Sequence, residues 1–349
     1  MSDQPLLTIA IPTYNRPQTL KNILDQLKSQ DSQGFELLIA DDNSPDNGET
    51  EKLVRSYQQN MPNLTFTRNQ ENLGYSGNVF HLYEMAKTRY VWFLCDDDTV
   101  LPQAVSNIIT AIKKWEPVVA IFNFTQLDPY DRPILSGVTK DVLYQDLSKI
   151  KDYQLFMRAS FLSILVVEKG PSIDILKSRK YKDNIFFQLT LVIHLLSNKF
   201  RICEISSAVL HRNVGFKYGE FFKFYLVDHL KALTILETKF DREKFIKWSK
   251  RHLFTAFKLY MSRKIGLFRY EGSPTKETLK YIYDFYGIYS IVVPIFMVAY
   301  LLTPAFIPKL YYLVSLIAIH GKSKGFAIYK KNVNRAFSDA RETRFTSYR

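Results

Sequence analysis

Two periods of apolar and polar positions alternate along the first 125 residues. Short apolar runs at 8–11, 37–40, 64–67, 90–94 and 118–124 have the length of strands. Between them apolar residues recur three and four apart: Leu20, Ile23, Leu24 and Leu27; Val79, Leu82 and Ala86; Val105, Ile108, Ile109 and Ile112. A further helix is expected around 49–59, after the polar run Asp41-Asp42-Asn43-Ser44-Pro45. Strands alternating with helices at this spacing predict an α/β fold built on a doubly wound, mostly parallel sheet. Such sheets bind ligands beyond the carboxyl ends of their strands. Three strand ends carry polar or acidic residues there: Pro12-Thr13-Tyr14, Asp41-Asp42 and Asp96-Asp97-Asp98.

The last of these follows Tyr90-Val91-Trp92-Phe93-Leu94, a run suited to a strand buried on both faces. If the backbone stays extended, Asp96 and Asp98 share one side and Asp97 takes the other. Three crowded carboxylates repel one another and call for a cation. Oxygen ligands suit a hard divalent ion of the kind that bridges carboxylates to phosphates. The competing reading is a solvated acidic turn that caps the next helix. No glycine-rich phosphate loop follows the first strand, which argues against a dinucleotide fold or a P-loop.

Four pieces of the chain, in order, resemble the family 2 glycosyltransferases, which have the A-type nucleotide-sugar-binding fold. They are Ile11-Pro12-Thr13-Tyr14-Asn15-Arg16, Leu38-Ile39-Ala40-Asp41-Asp42-Asn43-Ser44, Asn69-Gln70-Glu71-Asn72-Leu73-Gly74, and Asp96-Asp97-Asp98 ahead of Pro102. The resemblance implies a nucleotide-sugar site made of Pro12, Tyr14, Asn15, Arg16, Asp41, Asp42, Asn72, Gly74, Asp96 and Asp97. In it Pro12 and Tyr14 line the base pocket and Asp42 accepts a hydrogen bond from the base. Asn72 and Gly74 approach the ribose or phosphate, and Asp96 to Asp98 bind the ribose and, through Mg²⁺ or Mn²⁺, the diphosphate. On the residues alone, Tyr14 also suits a packed turn aromatic and Gly74 a turn glycine.

Farther on the chain departs from the family. Residues 125–152 read as loop and 161–167 as a strand. A helix over 184–197 and a strand over 200–205 follow. The family places a Glu-Asp pair near the start of that helix, where a carboxylate takes the acceptor's proton. Aligned back from Phe200-Arg201-Ile202, that pair falls on Phe187-Gln188, and glutamine is no base. In this departure the chain resembles the abequosyltransferase-like subgroup of O-antigen and polysaccharide synthesis. Asp183 is the first choice for the base, ahead of Asp174 and Glu168; its other reading is a charge that offsets the helix dipole. His211 is a third metal ligand by this resemblance, or a satisfied surface histidine. The expected ligands are Asp96, Asp98 and His211.

The net charge of +13 is unevenly placed. Residues 1–200 hold 21 basic and 23 acidic side chains, whereas 201–349 hold 26 and 11, so the whole excess lies in the second part. Basic residues stand beside aromatics at helical spacing from 216 to 270, which suits a helix in a membrane interface or one packed on the catalytic domain. Residues 285–308 form an uncharged run of 24, interrupted by Pro294, Pro304 and Pro308, and 310–320 continue without Lys, Arg, Asp or Glu. A span needs about 20 apolar residues, so a crossing and an in-plane hairpin both fit. Lys309, Lys322, Lys324, Lys330 and Lys331 beside these runs favour an anionic, cytoplasmic membrane face over nucleic acid. Two cysteines and no recognisable signal peptide agree with that compartment.

The expected organisation is a catalytic domain at 1–215, a membrane-associating helical region at 216–331 and a polar tail at 332–349. The expected activity is inverting transfer from a nucleotide-diphosphate sugar to an acceptor hydroxyl, with a polyprenyl-linked saccharide as acceptor. The alternatives are a non-catalytic nucleotide-sugar-binding module and a sugar nucleotidyltransferase.

Overall fold

The computed structural model describes residues 4–127, 133–147, 150, 154–170, 186–212, 217–220, 228, 231–232, 269–271, 304 and 306–330, with single positions at 276, 278, 280, 283, 284, 295 and 302. The chain forms two compact units. One comprises Met1–Gln126, Ile134–Asn213 and Lys231–Asp241, and the other Leu127–Pro133, Val214–Leu230 and Arg242–Arg349.

The first unit begins with strands β1 (Leu7–Thr13), β2 (Phe35–Asp41) and β3 (Leu64–Arg68), linked through helices α1 (Pro17–Lys28) and α2 (Glu49–Gln58). Helix α3 (Gly74–Met85) leads to β4 (Tyr90–Phe93), and β5 (Thr99–Val100) and α4 (Ala104–Trp115) follow. The sheet order is β3-β2-β1-β4, with β1 paired parallel to both β2 and β4. The chain therefore winds outward from β1 in one direction and then returns to its other side. That reversal between β1 and β4 is the topological switch point where such sheets open a crevice. Every residue of β4 is buried, as its unbroken apolar run requires. Helix α1 buries Leu20, Ile23, Leu24 and Leu27, the stripe read from its spacing, with Pro17 at its first turn.

Beyond β4 the sheet continues through β9 (Leu165–Glu168), β6 (Val119–Leu127), β10 (Ile202–His211) and β5. Strand β9 is antiparallel to both β4 and β6, while β6 and β10 are parallel, so the sheet is mostly parallel but mixed. Two expectations fail here. Residues 125–152 are not all loop: β6 runs on to Leu127, β7 (Pro133–Ser136) pairs with it, and β8 (Val142–Tyr144) pairs antiparallel with β10. These strands are too short and too exposed to show a burial pattern, with Ile134, Leu135 and Leu143 all open to solvent. The loop between them is tied down by a polar group. Buried Asn123 donates to the Val138 and Ser206 carbonyls at 2.7 and 2.9 Å and accepts from the Val138 N–H at 2.8 Å. Residues 161–167 are likewise not one strand: Leu162–Ile164 is a 3-10 turn that precedes β9.

Strand β10 is longer than expected and irregular. Its partners step from Ile205–Phe122 to Ala208–Asn123, Leu210–Phe124 and His211–Thr125, so it carries surplus residues against β6. Helices α5 (Gln154–Ala159) and α6 (Phe187–Ser197) pack on each other. The helix expected over 184–197 is described from 187 onward. Asp183 and Asp174 lie outside the described residues.

In the second unit β11 (Lys217–Glu220) and β12 (Arg269–Glu271) pair in parallel, where helical spacing had been read. Apart from 228 and 231–232, the rest of 216–270 lies outside the described residues, as do the tail 332–349 and most of 285–308. Helix α7 (Phe306–His320) ends at Gly321, and helix α8 (322–330) follows. Among the described residues no helix is long and apolar enough to cross a membrane.

Candidate active site

The switch point gathers the acidic strand ends. Thr13, the last residue of β1, donates its hydroxyl to Asp96 Oδ2 at 2.7 Å, which bridges the carboxyl ends of β1 and β4. Arg16 Nη1 lies 3.2 Å from Asp96 Oδ1 and 2.8 Å from Asp97 Oδ2. The turn after β1 reverses through Asn15, at φ 53, whose N–H donates to Ser44 Oγ at 2.7 Å. An asparagine tolerates that left-handed backbone, which brings Arg16 back over the carboxylates.

The carboxylate run is a turn rather than a continuation of the strand, so the even spacing of sides expected for extended backbone does not apply. Asp96 turns toward Thr13 and Arg16. Cys95 Sγ and carboxylate oxygens of Asp97 and Asp98 instead lie within 4.8 Å of one another. The 3-10 turn explains this shape: Ser163 Oγ accepts the Cys95 N–H at 3.1 Å, and the Ser163 carbonyl accepts the Trp92 indole N–H at 2.7 Å. Burial pushes the Asp97 carboxyl well above its ordinary range, and the neighbouring Asp96 charge adds to this. Asp96 is raised by burial as well, against the pull of Arg16. Burial first, then the charges of Asp97 and Asp98, push the Cys95 thiol up. Mutually repelling carboxylates, Asp98 buried and Asp97 half-buried, with ligand atoms this close together fit a divalent cation.

His211, the expected third ligand, ends β10 and stands opposite Thr99, the residue after Asp98. Its Nδ1 lies 3.0 Å from Thr125 Oγ1. The fold thus brings His211 to the rim where the acidic turn ends, with one ring nitrogen engaged by a strand-end hydroxyl.

Asp41 and Asp42 lie at the end of β2, both buried. Asp41 turns away from the crevice: it accepts the Ser44 N–H and hydroxyl, and Arg68 Nε lies 3.7 Å away. Desolvation raises the Asp41 carboxyl in spite of the Ser44 hydrogen bonds. Asp42 Oδ1 accepts Asn69 Nδ2 and the Leu73 N–H, each at 2.8 Å. Both bonds fall on one oxygen, and Oδ2 makes neither. Asn78, on α3, ties this corner to the sheet by donating to the Ala40 carbonyl at 3.0 Å. Asn72 Oδ1 accepts the Gly74 N–H at 2.8 Å, and Gly74 adopts φ 71, where a side chain would be strained. Pro12 and Tyr14 are half-buried on the adjacent β1 end.

The expected site residues of 1–100 therefore come together at one edge. Sequence reading passed over Thr13, Ser44, Arg68, Asn69, Asn78, Cys95 and Ser163 as functional or positioning groups. Thr13, Ser44 and Asn69 stand inside the matched motifs, which was a usable signal; Asn78 and Ser163 sit among apolar neighbours and gave none. At the position aligned with the family's acid pair, Phe187 packs at a tilt of 50° on Phe80 with centroids 4.8 Å apart, and Gln188 donates to the Ser160 carbonyl at 2.7 Å. That corner is packed rather than basic. Glu168 is also set apart from the site: it pairs in register with Tyr90, at the opposite end of β4 from Asp96, and binds Arg89 at 2.7 Å.

The family model Glycosyl transferase family 2 matches residues 8–164. The GalNAc(5)-diNAcBac-PP-undecaprenol beta-1,3-glucosyltransferase of Campylobacter jejuni is 31% identical over 106 residues, which is 30% of this chain and 34% of that protein. The abequosyltransferase RfbV of Salmonella typhimurium is 29% identical over 109 residues, 30% of this chain and 32% of its own. The chain thus matches about a third of the length of these curated relatives. The crystal structure of Staphylococcus aureus TarS 1–349 in complex with UDP-GlcNAc superposes with a TM-score of 0.57 at 18% identity, covering 98% of this chain and 93% of that one. This last likeness is one of fold. The likeness to glycosyl transferase family 2 is thus carried by residues 8–164.

Proposed function

We propose that the protein transfers a sugar, with inversion, from a nucleoside-diphosphate donor to an acceptor hydroxyl, and that the acceptor is a polyprenyl-linked saccharide of cell-surface polysaccharide synthesis. The observation that carries this is the convergence of Thr13, Arg16, Asp42 and Asp96–Asp98 on the β1/β4 switch point. Pro12 and Tyr14 bracket the base, Asp42 receives a base N–H, and Asn72 and Gly74 approach the ribose or phosphate. Asp96, clamped by Thr13 and Arg16, accepts a ribose hydroxyl. Asp97 and Asp98 would hold Mg²⁺ or Mn²⁺, with Cys95 grouped beside them and His211 at the adjoining strand end. When bound, the ion supplies positive charge against the diphosphate. The acceptor oxygen attacks the anomeric carbon as the bond to the diphosphate breaks, and a carboxylate takes the hydroxyl proton. Asp183, just ahead of α6 in sequence, is assigned that role. The basic excess of 201–349 supports an anionic, cytoplasmic membrane face as the place of work.

A second reading, a non-catalytic nucleotide-sugar-binding module, is favoured by the packed Phe187–Gln188 corner. The two separate when the purified protein is incubated with Mn²⁺, a panel of nucleoside-diphosphate sugars and a polyprenyl-linked acceptor. Released nucleoside diphosphate and glycosylated lipid are expected from the wild type and not from Asp98→Asn. Donor binding by calorimetry without any turnover across the panel would establish the binding module instead.

A further inference from the structure

The outward face of α7 is apolar where a solvated helix would be polar. Its other face is satisfied within the second unit: Tyr312 and Leu316 bury against Ile328 of α8, with Tyr329 packed on the same cluster. The helices approach closely because α8 presents Gly325, where an added Cβ would lie 2.8 Å from the Ile317 Cα. Gly321, at φ 80, makes the turn between them and donates its N–H to the Ile317 carbonyl at 2.8 Å. At about 100° per residue, Phe306, Ile307, Leu310, Tyr311 and Val314 fall within one arc of about 140°, turned away from Tyr312 and Leu316. These five are 47–68% exposed. No acidic residue occurs from 306 to 330, whereas Lys309, Lys322, Lys324 and Lys330 do, and the last three are exposed.

We propose that the α7–α8 hairpin docks in the plane of an anionic phospholipid bilayer. Phe306, Ile307, Leu310, Tyr311 and Val314 enter the headgroup–acyl boundary, and the α8 lysines lie among the headgroups. Charge complementarity selects this occupant over a second copy of the chain, which would set lysine against lysine. Length selects the orientation: the 15 residues of α7 reach about 22 Å at 1.5 Å each, short of a hydrocarbon core of about 30 Å. The inference deepens the membrane part of the proposed function and is independent of the transfer chemistry.

The test mixes full-length protein with phosphatidylcholine vesicles, with or without 30% (roughly) phosphatidylglycerol, and reads the bound fraction by co-sedimentation. Binding to the anionic vesicles is expected, with loss at high salt. Lys322→Glu/Lys324→Glu should weaken it by about 25-fold or more, at about fivefold per lost lysine. Leu310→Glu/Val314→Glu should weaken it at least tenfold (roughly), with circular dichroism and melting temperature unchanged because both sites are exposed. Asp98→Asn should bind like wild type. Absence of binding to anionic vesicles at low salt overturns the proposal, as does wild-type partitioning of the Leu310/Val314 variant. A dimer that this variant dissociates, without vesicle binding by either form, assigns the face to a second copy. Normal vesicle binding together with no transfer on any donor would remove the transferase reading and leave the docking surface standing.

Discussion

Burial holds the Tyr90 phenol at about 12 against an ordinary 10.0, and the Cys203 thiol at about 12 against 9.0. Both groups lie inside the sheet, Tyr90 at the start of β4 and Cys203 in β10. Their folded values exceed their unfolded ones, so the native state binds more protons over that interval. Their contribution to stability is therefore intact below about pH 9 and is lost as pH rises from about 9 to 12. Urea unfolding at pH 8 and pH 11 should differ by several kcal/mol, on the order of 1.4 kcal/mol per titrated unit and group. Cys203→Ala should flatten the part of that fall which begins near pH 9. A midpoint unchanged between pH 8 and 11 would mean that neither group is held protonated by the fold. At the same scale, Asp183→Asn is expected to lower turnover by about 10²–10⁴, the usual worth of a general base, with little change in donor affinity. Turnover within a few-fold of wild type would move the base elsewhere, to Asp174 among the weighed carboxylates, since Glu168 is at the wrong end of β4.

Among the elements, β8, β10 and α5 are joined by polar groups in a buried place. Glu204 of β10 is paired with Arg158 of α5 and accepts the Tyr144 hydroxyl of β8 at 2.7 Å. Removing one member strands a charge away from water, so Arg158→Met should lose about 3–5 kcal/mol. The double variant Arg158→Met/Glu204→Leu should recover most of that loss, as denaturant midpoints would show. Equal midpoints for the single and double variants would mean that Glu204 finds another partner. The same elements mark the limit of what the chain reveals before it is folded. Strands β1, β2 and β4 and helix α1 were legible because each buries a continuous run or a full stripe, as Leu20, Ile23, Leu24 and Leu27 do. The motif residues Asp42 and Asp96 were legible because they end such strands. The short strands β7 and β8 were not, because they bury no apolar face: Asn123 ties down the loop between them and Glu204 holds Tyr144 of β8. The split of the acidic turn into Asp96 on one hand and Cys95, Asp97 and Asp98 on the other was also hidden. It depends on Ser163, 65 or more residues away along the chain.

At the scale of the whole molecule, the motifs and the charge are segregated: the donor motifs lie within the near-neutral first 200 residues and the basic excess lies after them. Holding an acceptor and its enzyme on one surface raises their effective concentration without any new contact. The same saccharide should therefore be glycosylated at least tenfold (roughly) faster when polyprenyl-linked in anionic vesicles than when free in solution, and salt should erode the difference. Equal rates on both substrates would separate the basic excess from acceptor choice. Unlike the vesicle-binding measurement, this one reports on catalysis and stands or falls with the transfer reaction.

The surplus residues of β10 bear on how the gene can change. From Ile205 to His211 the strand advances six positions, while its partner advances only three, from Phe122 to Thr125. The slack is anchored at Ser206, whose N–H and hydroxyl both bind Asp141 Oδ1, at 2.9 and 2.8 Å. A codon lost between 206 and 208 shortens the bulge and leaves His211 beside Thr125. A codon lost from 119–122 of β6 has no such reserve: both faces of the strand are buried there, so a shift of one register position sends every side chain into packing shaped for its neighbour. Length variation among descendants of this chain should therefore be found at 206–208 and be absent a few residues away, in the strand lying against it.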